Sequence, residues 1–127
     1  RTVLVSGGFT QFAEPVAARL GIDAAHANRL LATDGVLNGR VGEPILGPAA
    51  KRDILLRECA ALGIDATAAI ALGDGANDLA MMEVAGLGLA YRAKPAVATA
   101  ADGEIRHADL TAVLYALGVP GSAFVSA

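Results

Sequence analysis

Length, composition and charge restrict what this chain can be. At 127 residues the sequence fits one domain, residues 1–127, and its 54% hydrophobic residues with only 4% aromatics predict a core of Ala, Leu, Val and Ile. The net charge of −3 gives no reason to expect nucleic acid as a partner, and no apolar run is long enough to span a membrane. The single cysteine cannot form an internal disulfide, so we expect a cytoplasmic protein.

The first half of the chain predicts two helices and three strand regions. Gly7-Gly8 ends the first strand, and Asp34-Gly35 predicts a hairpin turn that a second turn at Asn38-Gly39 follows. Pro48 lies near the start of the second helix and Gly63 after its end. The predicted elements are a strand over residues 2–6, a helix over 11–20, strand-like segments on either side of Asp34-Gly35 within 28–37, and an amphipathic helix over 48–62.

The second half alternates short apolar strands with helices. The strands are predicted over residues 68–72, 87–91 and 104–107, and the helices from Leu79, over 95–101 and over 110–117. Strand–turn–helix units at this spacing are typical of α/β proteins. We therefore expect a doubly wound parallel sheet with helices on both faces, and a ligand site outside the carboxyl ends of its strands.

The strongest chemical signal is the segment Gly73-Asp74-Gly75-Ala76-Asn77-Asp78-Leu79. Two carboxylates and a carboxamide occupy a glycine-rich turn after a buried strand, and such oxygen ligands suit Mg²⁺ completed by a substrate phosphate. The alternative is a turn whose polar side chains only cap the next helix. The complete heptapeptide favours a metal and phosphate site.

Two weaker signals accompany this segment. Ser6-Gly7-Gly8 offers a hydroxyl and backbone N–H groups to a phosphate oxygen, although an ordinary strand-to-helix turn has the same composition. Lys51 lies in the first turn of the 48–62 helix, where a cation is unfavourable without an anion nearby; viewed alone it is more typical of a solvated lysine. His26, His107 and Cys59 are expected at the surface or in packing, with Cys59 a buried inert thiol.

In order along the chain, Ser6-Gly7-Gly8-Phe9-Thr10, Lys51 and the 73–79 segment resemble the later motifs of phosphoserine phosphatases, in the haloacid dehalogenase-like superfamily. The resemblance covers nearly the whole chain and fades after Gly118. It implies an incomplete Rossmannoid core of that superfamily and Mg²⁺-dependent hydrolysis of a small phosphorylated amino acid.

The resemblance also implies a role for each site residue. Asp74 would bind Mg²⁺, and Lys51 and Asp78 would belong to the catalytic machinery. The substrate would be bound by Ser6, Gly7, Lys51 and Asn77. Asp78 would hold Lys51 or a metal-bound water.

The chain departs from the family at one point. The Asp-x-Asp-x-Thr motif, which supplies the nucleophile of the family, does not occur, and the cap that recognises the substrate is missing. We expect the missing N-terminal half of the protein to supply both, together with a strand between those ending at Ser6 and Gly73. We expect the isolated chain to be inactive, and to be poorly stable, to self-associate or to require that half. The oligomeric state stays open.

Two alternatives to a phosphoserine phosphatase remain. The same fold and mechanism serve other small phosphomonoesters or phosphotransfer acceptors, and the cap would decide between them. A chain without the nucleophile could instead be a non-catalytic module that binds a phosphate-bearing ligand or a partner.

Overall fold

Strands and helices alternate along residues 1–125, which are the residues that the computed structural model describes. The strands are β1 Val3–Phe9, β2 Ala24–Asn28, β3 Leu30–Thr33, β4 Val36–Val41, β5 Ile70–Gly73, β6 Leu87–Tyr91 and β7 Gly103–Ile105. The helices are α1 Thr10–Leu20, α2 Pro48–Leu62, α3 Leu79–Met82, α4 Pro95–Ala100 and α5 Thr111–Ala116. Short 3₁₀ turns occupy Ala66–Ala68, Ala76–Asp78 and Gly121–Ala123.

The strands form three separate sheets. β1 and β2 are parallel, β5, β6 and β7 are parallel in that order, and β3 and β4 form an antiparallel hairpin. Within residues 1–125, β1 pairs only with β2 and β5 pairs only with β6, so each has one edge without a partner. The predicted α/β class with parallel strands is confirmed.

The two longer helices follow the sequence signals. Helix α1 ends at Gly21, whose φ of 66° is the left-handed conformation that glycine adopts without strain. Helix α2 begins with Pro48 and ends at Gly63, with a φ of 67°. Helix α1 packs its buried residues, Ala13 and Ala17, on β1 and β2. The predicted bounds of both helices are confirmed to within a residue.

In the first half one prediction is wrong and one strand was missed. Asn38-Gly39 is not a turn but lies inside β4, where the register shifts opposite β3 and Gly39 takes a φ of 75° to accommodate the bulge. Strand β2 was not predicted, because Ala-Ala-His-Ala-Asn carries no β-branched or alternating pattern; its pairing with β1 creates it. The Asp34-Gly35 turn is confirmed, with φ of 52° and 78° as a type I′ hairpin requires.

The core is small and lies between α3 and the strand β5. Ala71, Met81 and Met82 are buried, and Leu55, Leu79, Ala85 and Ala101 pack against them. Cys59 is buried as expected. Many large apolar side chains remain exposed, and three of them lie on α1. Among the residues described, no helix combines the length and apolar character that a membrane span needs.

Candidate active site

A buried ion pair joins α2 to the glycine-rich turn after β5. Lys51 is the fourth residue of α2, and its Nζ donates a hydrogen bond of 2.6 Å to Oδ1 of Asp78. The two side chains are only 8% and 6% exposed. Lys51 viewed alone resembled a solvated lysine, and the structure shows the opposite. Burial of both charges at this distance is tolerable because each neutralises the other.

The second oxygen of the same carboxylate shapes the turn. Oδ2 of Asp78 accepts the backbone N–H groups of Asp74 at 3.1 Å and of Gly75 at 3.2 Å. One side chain therefore fixes the direction of the backbone at Asp74 and the position of the Lys51 ammonium group. Lys51 keeps two further N–H donors beyond the one given to Asp78.

Both glycines of the turn lie close to neighbouring side chains, and Gly73 is required by that contact. A β-carbon at Gly73 would overlap the side chain of Asp78, and one at Gly75 would overlap Oδ1 of Asn77. Neither glycine has a positive φ. Space therefore imposes the residue type at Gly73, whereas the exposed Asn77 amide can turn away from a β-carbon at position 75. Sequence reasoning expected tight geometry here without identifying what the glycines approach.

Asp74 and Asn77 project from this turn toward solvent. Asn77 and Asp74 are both exposed, and within residues 1–125 the Asp74 carboxylate accepts no hydrogen bond. A free carboxylate fits a Mg²⁺ ion, which takes one or two carboxylates and completes its shell with water and phosphate. No three His, Cys, Asp or Glu side chains of the described residues lie together as a metal site. This chain therefore offers a single carboxylate toward such an ion.

The Ser6-Gly7-Gly8 segment lies inside β1 and not after it, which corrects the predicted strand end. Val5 pairs with His26 and Phe9 with Asn28, so residues 6–8 bulge out of the ladder before pairing resumes. The Ser6 hydroxyl accepts the Gly8 N–H at 3.0 Å.

Asn28, which sequence reasoning did not single out, holds this bulge. Its Nδ2 donates to the Gly7 carbonyl at 2.9 Å, and its Oδ1 accepts the Leu46 N–H at 2.7 Å. Asn28 is 7% exposed and both ends of its amide are satisfied. No local signal marks it, because its partners are 21 and 18 residues away in sequence.

The structure brings only some of the predicted residues together. Asp74, Asn77 and Asp78 share the turn after β5, and Lys51 reaches it from α2. Among the hydrogen bonds and ion pairs of residues 1–125, none joins Ser6 or Gly7 to that group, and their strands belong to separate sheets. An open cavity of about 310 Å³ lies beside Asp74 at the carboxyl ends of β5 and β6, and its lining is Leu72, Gly73, Asp74, Tyr91, Arg92 and Leu110.

A second charged cluster ties β2 to α2. His26 Nε2 lies 2.8 Å from Oε1 of Glu58, and Arg1 Nε lies 2.8 Å from Oε2. The hydrogen bond from His26, followed by that from Arg1, lowers the pKa of the Glu58 carboxyl. His26 was expected at the surface or in packing, and its partner Glu58 is 32 residues away in sequence. The cluster joins elements and does not enter the glycine-rich turn.

The comparison with protein families decides where this chain belongs. The model of the family described as haloacid dehalogenase-like hydrolase matches residues 1–83, about two thirds of the chain. The chain belongs to this family. The resemblance noted from the sequence motifs is thereby confirmed.

Several proteins similar to this chain are named phosphoserine phosphatases. A phosphoserine phosphatase of Albidiferax ferrireducens is 50% identical over 118 residues, covering 90% of this chain and 50% of the relative. A solved structure of a probable phosphoserine phosphatase from Vibrio cholerae matches with a TM-score of 0.88 at 39% identity, over 92% of this chain and 36% of that one. A solved structure of a phospho-aspartyl intermediate analogue of phosphoserine phosphatase matches with a TM-score of 0.82 at 40% identity, over 90% and 55%.

These matches cover only part of the relatives. This chain spans from 28% to 50% of the length of two curated relatives, the phosphoserine phosphatases of Streptomyces coelicolor and Albidiferax ferrireducens. The family and the fold are therefore established for this chain, whereas the name phosphoserine phosphatase describes relatives at least about twice as long.

Proposed function

We propose that the intact protein to which this chain belongs hydrolyses O-phospho-L-serine to L-serine and phosphate, with Mg²⁺ as its metal ion. The observation that carries the proposal is the buried Lys51–Asp78 pair in the glycine-rich turn after β5, in a chain whose relatives are named phosphoserine phosphatases. A lysine oriented by a buried carboxylate at the carboxyl end of a parallel strand is suited to bind phosphate oxygens.

The phosphate-binding residues act by charge and by hydrogen bonds. The Ser6 hydroxyl and the Gly7 N–H donate to phosphate oxygens, and Lys51 adds a positive charge to the same oxygens. Asn77, exposed beside the turn, orients the substrate. Asp78 accepts a hydrogen bond from Lys51, so its part is to position the ammonium group.

Asp74 is the residue that would hold the metal. Its carboxylate follows β5, and its backbone N–H is fixed by Asp78. Mg²⁺ bound there would neutralise charge that develops on the phosphate during in-line displacement.

The nucleophile comes from outside these 127 residues. We propose an aspartate that forms an aspartyl-phosphate, which water then hydrolyses; the similar structure of a phospho-aspartyl intermediate analogue supports this route. The isolated chain is then inactive. The same proposal assigns the intact enzyme to the cytoplasm and to serine biosynthesis, with a small phosphorylated amino acid as its partner.

Phosphate release from the intact protein tests the proposal. We expect release from phosphoserine that requires Mg²⁺ and exceeds release from phosphothreonine and sugar phosphates. Asp74→Asn should abolish it, whereas Asp53→Asn, an exposed acid paired with the neighbouring Arg52, should leave it unchanged. Faster release from a sugar phosphate would assign another phosphomonoester substrate.

One sequence fact favours a second candidate, a module that binds without turnover. This chain has no Asp-x-Asp-x-Thr segment. Calorimetric titration of the intact protein with phosphoserine and Mg²⁺, alongside the activity assay, separates the two. Binding without any phosphate release would replace the enzyme proposal with the binding module.

A further inference from the structure

Helix α1 carries an apolar stripe that faces solvent. Phe12, Val16 and Leu20 recur every four residues and are 71%, 48% and 68% exposed. We call these three residues the α1 stripe. The buried residues Ala13 and Ala17 each follow a member of the stripe by one position. Because successive residues lie about 100° apart around a helix, the stripe occupies one flank of α1 and not the side opposite the sheet.

The topology identifies this flank. Helix α1 connects β1 to the parallel strand β2, and connections of this kind are right-handed in nearly all proteins. With Ala13 and Ala17 directed at the sheet, right-handedness turns the residue before each of them toward the β1 side of the helix, away from β2. The α1 stripe therefore overhangs the edge of β1 that has no partner within residues 1–125.

A further parallel strand at that edge would bring a helix with it. Neighbouring parallel strands need a crossover connection, which is usually helical. If the added strand connects directly to β1, then the added strand, β1 and β2 are neighbours in the sheet in the same order as along the chain. The right-handed rule then puts the new helix on the same face as α1 and beside it, against the α1 stripe.

We propose that the α1 stripe is the docking surface for a helix that directly precedes Arg1 in the intact protein. This proposal rests on the proposed function, since it takes the chain to be part of a longer phosphatase. The relatives have ample chain for such a segment, because these residues span only 28% to 50% of their length. An apolar stripe of period four selects an amphipathic helix whose own apolar face packs against it.

Site-specific crosslinking in the intact protein tests whether the segment before Arg1 packs on the α1 stripe. The photoreactive residue p-benzoyl-phenylalanine replaces Phe12 in one variant and Glu14, which is exposed on the opposite flank, in the control. After irradiation, peptide mapping should find the Phe12 adduct in the segment directly before Arg1 and no such adduct from position 14. Adducts in another segment, or adducts to a second copy that fade on dilution, would overturn the proposal.

Thiol protection supplies a second measurement that does not depend on the crosslink. Val16→Cys in the native intact protein should react with a maleimide at least about tenfold more slowly than in the urea-unfolded protein, and Glu14→Cys at nearly the unfolded rate. The native Cys59 is buried, and the unsubstituted protein gives its background. Equal labelling at positions 14 and 16 would overturn the docking.

The failure of this inference is distinct from the failure of the proposed function. Phosphoserine hydrolysis is measured on the same preparations. Activity without protection of Val16→Cys would overturn the docking surface alone. Protection and crosslinking without activity would support the docking surface and contradict the phosphatase.

Discussion

The replacement of Lys51 by methionine tests the buried ion pair directly. Lys51→Met keeps most of the side-chain volume and removes the ammonium group from a pair whose side chains are 8% and 6% exposed. Asp78 then remains buried with two backbone N–H donors and no counter-charge. Removal of one partner of a buried pair costs about 3–5 kcal/mol of the free energy of unfolding, because the other charge is left uncompensated.

The neighbouring Arg52 provides a matched control. It lies on the same helix, and its ion pair with Asp53 leaves the two side chains 46% and 57% exposed. Exposed pairs contribute about 0–1 kcal/mol, so Arg52→Met should be nearly silent. A third variant, Lys51→Met with Asp78→Asn, removes the buried charge and should regain part of the loss.

Urea unfolding of the intact protein at neutral pH, followed by circular dichroism, measures these differences. If Lys51→Met does not fold, Lys51→Arg keeps the charge and reports the cost of altered geometry alone. A cost for Lys51→Met within about 1 kcal/mol of that for Arg52→Met would refute the reasoning, because such a value belongs to solvent-exposed pairs.

Three further predictions concern other contacts. Gly73→Ala should lower stability and phosphate binding because its β-carbon overlaps a buried carboxylate, whereas Gly42→Ala meets its neighbours at an ordinary 3.5 Å and should do neither. The pKa of Glu58 is lowered in the folded protein from its usual value of 4.5, so its contribution to stability is present above that value. This contribution is lost as the pH falls through the lower folded pKa. The difference in unfolding free energy between wild type and Glu58→Gln should therefore disappear in acid. Asn28→Ala should cost about 1–3 kcal/mol by urea unfolding, and the exposed Asn38→Ala about 0.5 or less.

Local signals in the sequence were sufficient for the elements whose ends are marked by proline or glycine. Pro48 and Gly63 bound α2, and Asp34-Gly35 forms the hairpin turn, because these residues act through their own backbone conformation. Strand β2 exists only through pairing with β1, so no local pattern could reveal it. Asn38-Gly39 has the composition of a turn, but because β4 pairs with β3 these residues form a bulge within the strand.

In the candidate site, too, residues that are adjacent in sequence were predictable and contacts between distant residues were not. The residues of the 73–79 segment are adjacent in sequence, and their metal- and phosphate-binding chemistry was predicted from their order. The burial of Lys51 needed a partner 27 residues away, and Asn28 contacts Gly7 across 21 residues. Such contacts follow from chain topology, which a single local pattern does not contain.

The separation of the sheets explains why the predicted residues do not form one site in this chain. Ser6 lies in the bulge that precedes the last paired residue of β1, Asp74 follows the carboxyl end of β5, and both strands have an unpaired edge within the described residues. Parallel strands present their carboxyl ends at one side of a sheet, and ligands bind there. A single parallel strand paired with β1 and β5 would satisfy both edges and would carry its own last residue between Ser6 and Asp74. The phosphatase proposal requires a nucleophile at that position, so the same added strand would complete both the backbone hydrogen bonding and the chemistry.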